Sequence, residues 1–188
     1  MRSLDMETKF CAPTKGLHLG EGWQISGYAS LFGLRDKGGD VVARGAYAAC
    51  LARMAAKGEQ VRMLWQHDPA QPIGVWEEVF EDARGLFVKG RLLPDVARAR
   101  EAAALLQAKA MDGLSIGYRT LRAAKLADGG RSLIELDLWE VSLVTFPMLP
   151  EARLAQKAAD DALLRDIAAL RATLRGAVAQ MTGQRTQP

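Results

Sequence analysis

Short apolar stretches follow one another along most of the 188-residue chain, separated by turns rich in Gly, Asp and Pro. Six of them have the length and flanking residues of β-strands: 23–32, 61–66, 73–80, 86–93, 115–126 and 132–146. The last two flank the sequence Ala-Asp-Gly-Gly at 127–130, which is the clearest hairpin turn in the chain. The pattern therefore predicts mainly antiparallel strands.

Two segments have helical spacing instead. Over 47–57, apolar residues recur at intervals of three and four, and Gly58 follows where helices commonly stop. A second amphipathic pattern begins after Pro94 and is expected to end at Gly113. We predict a short helix in each segment.

The order of these elements indicates the fold class and the domains. Six or seven short strands without a regular βαβ repeat predict an α+β domain over residues 1–150, mainly an antiparallel β-barrel with helices packed outside. After Pro150, apolar residues at alternating spacings of four and three predict a separate amphipathic helix over 151–182, followed by a polar tail at 183–188. This helix is short for an independent coiled coil, so we expect it to dock on the barrel or contact a second copy.

Composition and charge exclude several classes of protein. No run of 18 apolar residues exists and the first ten residues lack the apolar centre of a secretory signal, so no membrane partner is expected. Cys11 and Cys50 belong to no CxxC pair, which predicts reduced thiols and neither a disulfide framework nor a metal site. The net charge of +3 is spread along the chain, so direct nucleic-acid binding is not expected.

Three residues could form a nucleophilic site. If the strands pair around the 127–130 turn, Ser115 lies opposite Glu140 or its immediate neighbour, and opposed side chains on one face have Cβ atoms about 5 Å apart. His67, one of only two histidines, stands at a predicted strand end, where it could accept the proton of a serine hydroxyl. A carboxylate could orient its ring. By composition alone each residue is also readily explained as structural.

Four segments, in this order, resemble motifs of the prohead (capsid-maturation) serine proteases of tailed bacteriophages. They are GYASLFG at 27–33 with the glycine-rich stretch after it, LWQHD at 64–68, DGLSIGY at 112–118 and LWEVSLVTFP at 138–147. The resemblance extends over about residues 23–152 and leaves the C-terminal helix outside. Four motifs in matching order make the family assignment much more specific than any single motif.

This resemblance implies a fold similar to that of herpesvirus assemblins and a catalytic group of three residues. Ser115 would be the nucleophile, His67 the base and Glu140 the acid that orients it. Assemblins use a histidine as the third member, but the spare His18 lies outside every matching motif.

Other residues near these motifs have alternative interpretations. Asp137 and Asp112 are the other acids that could serve as third member. Gly117 and Arg119 could help to stabilise an oxyanion, or could equally be a turn glycine and a solvated arginine.

The resemblance also implies a substrate and a location. The expected function is an endopeptidase that cleaves the scaffold or the N-terminal extension of the major capsid protein, and cleaves itself, inside the immature procapsid in the cytoplasm of a bacterial host. Its partners would be capsid protein, scaffold and further copies of the chain, as a homodimer or higher assembly, with no cofactor or metal. The source could be a phage, a prophage or a phage-derived gene transfer particle.

Two other functions remain open at this point. One is a non-enzymatic scaffold or assembly protein that binds capsid protein. The other is an acyl hydrolase that uses Ser142, although its motif has no flanking glycine.

Overall fold

The computed structural model of the protein describes residues 7–11 and 23–146. They belong to the first of the two units into which the chain divides, Met1–Ala155. The helix predicted over 151–182 and the polar tail lie outside the described residues, so the proposed domain boundaries stay predictions.

Eight strands form one sheet in the described residues. They are β1 (Glu7–Cys11), β2 (Gln24–Leu31), β3 (Val41–Val42), β4 (Arg62–Trp65), β5 (Asp68–Glu81), β6 (Gly85–Leu92), β7 (Gly113–Lys125) and β8 (Arg131–Val144). Their order is β1-β7-β8-β4-β5-β6-β2, and β3 pairs with β8 beside this path. Neighbours are antiparallel except for β3 and β4, which both run parallel to β8.

The mixed α+β class is confirmed, with a curled sheet in which β2 at one edge lies beside β1 and β7 at the other. The predicted number of strands is too low, because β1 and β3 were not expected. β3 is only two residues long, and β1 has two charged residues among its five, so neither gives a clear apolar run. Full closure of the sheet into a barrel stays a prediction.

Helix α1 (Ala48–Lys57) agrees with the prediction at both ends. It stops where Gly58 adopts a left-handed conformation with φ 66°, which glycine reaches without steric cost. Its buried residues are Cys50 and Met54, and the Cys50 thiol accepts a hydrogen bond from the Leu138 amide of β8 at 3.2 Å. Cys50 is free, as predicted.

Helix α2 (Ala97–Gln107) is shorter than predicted, because it does not continue to Gly113. Lys109 adopts a left-handed conformation with φ 56°, and the Ala110 amide then donates to the Leu105 carbonyl at 2.9 Å. This bond closes the last turn of the helix. The sequence pattern missed the stop because the left-handed residue is a lysine and not a glycine.

One hydrophobic core fills the inside of the curled sheet. Its fully buried side chains come from most of the strands, including Ile25, Met63, Ile73, Leu86, Leu92, Leu114, Ile116, Leu133 and Leu136. The buried residues of both helices belong to the same cluster. The strands that carry the candidate site are therefore held by a continuous core.

The register between β7 and β8 differs from the prediction. The turn lies where expected, but Ser115 pairs with Ser142, and Gly117 pairs with Glu140. The predicted partner of Ser115, Glu140 or its immediate neighbour, is therefore wrong by one residue. The reason is a bulge at Trp139, which has no partner between the neighbouring pairs and adds one residue to β8.

The side chain of Asp137 stabilises this bulge. Its carboxylate accepts hydrogen bonds from the Trp139 indole at 3.1 Å, from Arg119 at 3.2 Å and from Arg53 of α1. Partial burial acts to raise the pKa of Asp137, but the indole N–H and the two guanidinium groups outweigh it and leave the pKa below its ordinary value. The charged carboxylate thus connects α1, β7 and β8.

Asp137→Asn is expected to lower the free energy of unfolding by about 1 to 2 kcal/mol at pH 7, because charge-assisted bonds are lost while the two arginines stay partly solvated. A lowered pKa contributes stability that is complete above the unfolded value of 3.8 and is lost as the pH falls through the folded value. The difference between wild type and variant, measured by urea unfolding, should therefore shrink at pH 3.

Asp128→Asn is the matched control, since the Asp128 side chain is 74 % exposed in its ion pair with Arg35. It should change the free energy of unfolding by less than about 0.5 kcal/mol. Equal losses for Asp137→Asn at pH 3 and pH 7 would contradict this explanation.

Candidate active site

His67 lies in a tight turn between β4 and β5, at the strand end where the sequence predicts it. Trp65 pairs with Asp68, so Gln66 and His67 are the two central residues of the hairpin. Both have left-handed backbones, with φ 51° and 62°. This conformation costs a non-glycine residue about 1 to 2 kcal/mol, so other contacts must hold the turn.

Hydrogen bonds to β8 supply those contacts. The Gln66 amide donates to the Leu143 carbonyl at 2.9 Å, and the Gln66 side chain donates to the Thr145 hydroxyl at 2.6 Å. The His67 amide donates to the Ser142 hydroxyl at 3.1 Å. The backbone of His67 is therefore fixed relative to β8, the strand that carries Glu140.

The His67 ring is bonded directly to Glu140. Nδ1 lies 2.5 Å from Oε1 of the carboxylate, and Glu140 is only 2 % exposed. The other carboxylate oxygen, Oε2, accepts a hydrogen bond from the Ser142 hydroxyl at 2.6 Å. When Nδ1 carries the proton toward the carboxylate, Nε2 is the basic nitrogen of the neutral ring.

Gly117 makes room for this carboxylate. It lies opposite Glu140 on β7, and a Cβ atom at this position would come within 2.1 Å of Glu140 Oε1. No real side chain tolerates such a distance, so any other residue would displace the carboxylate that contacts His67. Gly117 is thus needed for steric reasons.

Ser115 lies on β7, the strand paired with the one that carries Glu140. It is fully buried and stands directly opposite Ser142. Opposed residues and residues two apart share a face of a sheet, so Ser115, Ser142, Gly117 and Glu140 all belong to one face. The strand order β7-β8-β4 brings this face beside the end of β4, where the His67 turn begins.

The remaining predicted site residues occupy other positions. Asp137, considered as an alternative acid, is engaged with Arg53, Arg119 and the Trp139 indole. Arg119 is thus in an ion pair, with 55 % of its side chain exposed. Asp112 is partly buried just before β7, and His18 lies outside the described residues. Of the three acids considered, Glu140 is the one bonded to His67.

The contacts of Ser142 were not foreseen from sequence. Ser142 was considered there only as an alternative nucleophile, whereas its hydroxyl contacts the Glu140 carboxylate and the His67 backbone. The signal was available in the spacing, because a serine two residues after a glutamate on one strand shares its face.

Within the described ranges, no group of three or more His, Cys, Asp or Glu side chains could hold a metal ion. Neither described helix is long and apolar enough to cross a membrane.

A partly buried histidine–carboxylate pair, with a buried serine on the neighbouring strand, is consistent with a serine hydrolase. Residues 12–165, well over half of the chain, match the family model described as caudovirus prohead serine protease, so the chain belongs to this family. The resemblance stated from the motifs is confirmed. The chain is therefore a serine protease of the capsid-maturation class.

One relative supports this assignment by sequence, and one solved structure is similar in fold. The chain is 32 % identical over 155 residues to the prohead protease of Enterobacteria phage HK97, covering 79 % of this chain and 68 % of that protein. Its fold is similar to the structure of the capsid assembly protease of bacteriophage T4, with a TM-score of 0.64 and 15 % identity. That alignment covers 76 % of this chain and 98 % of the T4 chain.

Gly117→Ala is expected to push the Glu140 carboxylate away from His67 while the domain still folds. A misplacement of about 1 Å can cost roughly a hundredfold in rate, so proteolytic activity should fall by about that factor. The downfield proton NMR signal of the His67 Nδ1–H group, expected for so short a hydrogen bond, should shift or disappear.

Gly38→Ala is the control, because its added Cβ would meet only the Asp36 carboxylate at 3.3 Å. It should leave both readouts unchanged. Retention of the signal and of activity in Gly117→Ala would show that the carboxylate position is not limited by this glycine.

Proposed function

We propose that this chain is an endopeptidase that cleaves the scaffold or the scaffold-like N-terminal extension of the major capsid protein, and also cleaves itself. The observation that carries the proposal is the partly buried 2.5 Å hydrogen bond between His67 and Glu140 in a chain of the prohead protease family. The HK97 relative is named as a prohead protease and the T4 neighbour as a capsid assembly protease. Both names support a capsid-protein substrate inside the procapsid of an infected bacterium.

Ser115, His67 and Glu140 would carry the reaction. The Ser115 hydroxyl attacks the scissile carbonyl while Nε2 of His67 takes its proton, and Glu140 stabilises the resulting imidazolium through Nδ1. His67 then returns the proton to the leaving amine. A water molecule attacks the acyl-enzyme, with His67 again as base, and releases the new carboxyl end and the free serine.

The contacts of Ser142 favour Ser115 as the nucleophile over Ser142. The Ser142 hydroxyl donates a hydrogen bond to Glu140 and accepts one from the His67 amide. Its O–H group therefore points at a carboxylate and not at the imidazole. An acyl hydrolase that uses Ser142 would need both bonds to break first. Ser115 lies opposite Ser142 on the same face.

The oxyanion donors stay predictions. The backbone of Gly117 lies between β1 and β8, with Thr8 on one side and Glu140 on the other. Arg119 is paired with Asp137. Either group would have to exchange a present partner for the oxyanion.

The burial of Ser115 bears on when the enzyme acts. Since its side chain is inaccessible to solvent, a peptide carbonyl can reach the hydroxyl only after the surrounding chain moves. We propose that contact with further copies or with the shell opens the site. Activity would then begin inside the assembled procapsid. Confining the protease in this way would protect host proteins from cleavage.

Ser115→Ala is expected to abolish cleavage without loss of folding when the protease is co-expressed with its capsid protein. Removal of the nucleophile of a triad lowers the rate by about 10⁴ to 10⁶, so only uncleaved capsid protein should be seen on a denaturing gel. A fluorophosphonate probe should label particles that contain the wild type and not those with the variant.

Ser30→Ala is the matched control, a fully buried strand serine whose hydroxyl has no hydrogen-bond partner among the described residues. It should process capsid protein normally. Cleavage by Ser115→Ala would remove Ser115 from the mechanism. Absence of both labelling and cleavage in wild-type particles would favour a non-enzymatic assembly protein.

A further inference from the structure

Ser142 closes a ring of hydrogen bonds around the acid and the base. Its hydroxyl donates to Glu140 Oε2 at 2.6 Å and accepts from the His67 amide at 3.1 Å, while Glu140 Oε1 meets His67 Nδ1 at 2.5 Å. Ser142 is fully buried and Glu140 nearly so. His67 is thereby fixed relative to Glu140 and Ser142, which lie 73 and 75 residues later in the chain.

We propose that Ser142 is a positioning residue of the protease, which holds the Glu140 carboxylate and the His67 backbone in the arrangement that the reaction needs. This inference rests on the proposed function of His67 and Glu140. Ser142 does not touch the substrate or the proton that His67 transfers. It acts through the two residues that it bonds.

The hydrogen bond that the Ser142 hydroxyl donates and the one that it accepts have different effects. Donation to Oε2 engages one carboxylate oxygen, so that the other, Oε1, faces the imidazole, and the terminal torsion of a glutamate is otherwise broad. Acceptance from the His67 amide holds a left-handed turn that a histidine does not prefer. One side chain therefore limits both the rotation of the acid and the relaxation of the base.

The burial of this region means that a water molecule would not readily replace the Ser142 hydroxyl. Ser142 and Ser115 face each other across β7 and β8, and neither is exposed. Loss of the hydroxyl would leave Oε2 of a buried carboxylate without this donor, and a buried charge that loses a donor tends to move toward another. The expected result is a Glu140 that turns away from His67.

The test compares Ser142→Ala, Ser142→Thr and Ser30→Ala in assembled procapsids, the state in which activity is expected, using a peptide that spans the cleavage site mapped on the capsid protein. Ser142→Ala should lower kcat by about 10- to 100-fold, in the range expected for a misplaced catalytic group, with KM changed less than about twofold. The downfield Nδ1–H signal of His67 should shift or broaden. Ser142→Thr keeps the hydroxyl and should restore the signal and most of kcat.

Ser30→Ala controls for deletion of a buried strand hydroxyl and should change neither kcat nor the signal. A merely structural Ser142 would lower thermal stability but leave the His67 signal and kcat of the folded fraction unchanged, which would overturn the proposal. If Ser142→Ala fails to fold, Ser142→Cys, with similar volume and a weaker donor, should show an intermediate signal and kcat. Wild-type values in Ser142→Cys would also overturn it.

Failure of the Ser142 proposal can be distinguished from failure of the proposed function. Full activity of Ser115→Ala would refute the serine mechanism, whatever Ser142 does. The His67 NMR signal reports on the position of the acid without any turnover. A changed signal in Ser142→Ala alongside an inactive Ser115→Ala supports both conclusions.

Discussion

The proposed catalytic site depends on one constraint: the Glu140 side chain must lie on the same face of the sheet as Ser115 on the neighbouring strand. Side chains alternate between faces, so a shift of one residue in register moves a side chain to the opposite face. Without the bulge at Trp139, Ser115 would pair with Val141, and Glu140 would point away from it. The extra residue in β8 pairs Ser115 with Ser142 instead, and places Glu140 two positions away on the shared face.

The histidine reaches this face by a different route. β4 runs parallel to β8, and its last residue, Trp65, pairs with Leu143. The chain then turns back at once through Gln66 and His67, in a conformation that would be unfavourable in isolation. The hydrogen bonds to β8 offset this strain, so the strand that carries Glu140 also fixes His67. Local strain retained at a site of chemistry is a common feature of enzymes.

The sequence predicts much of this arrangement, for reasons that can be given residue by residue. Short apolar runs with glycine-rich turns predict the β7–β8 hairpin and the helix that stops at Gly58, and the motifs identify the family. The register could not be predicted, because a bulge depends on contacts such as the Asp137–Trp139 bond and not on an apolar pattern. The end of α2 at Gln107 was missed because a lysine takes the position usually held by glycine.

Three neighbours among the described residues restrain the Glu140 carboxylate. Gly117 packs closely against the carboxylate, Ser142 binds one of its oxygens and His67 binds the other. A group held this firmly gains little further order when substrate arrives, so the acid–base pair is largely formed in advance. In the proposed mechanism, what remains to be controlled is the approach of a peptide to the buried Ser115. Regulation of this protease is therefore better placed in the chain around Ser115 than in the His67–Glu140 pair.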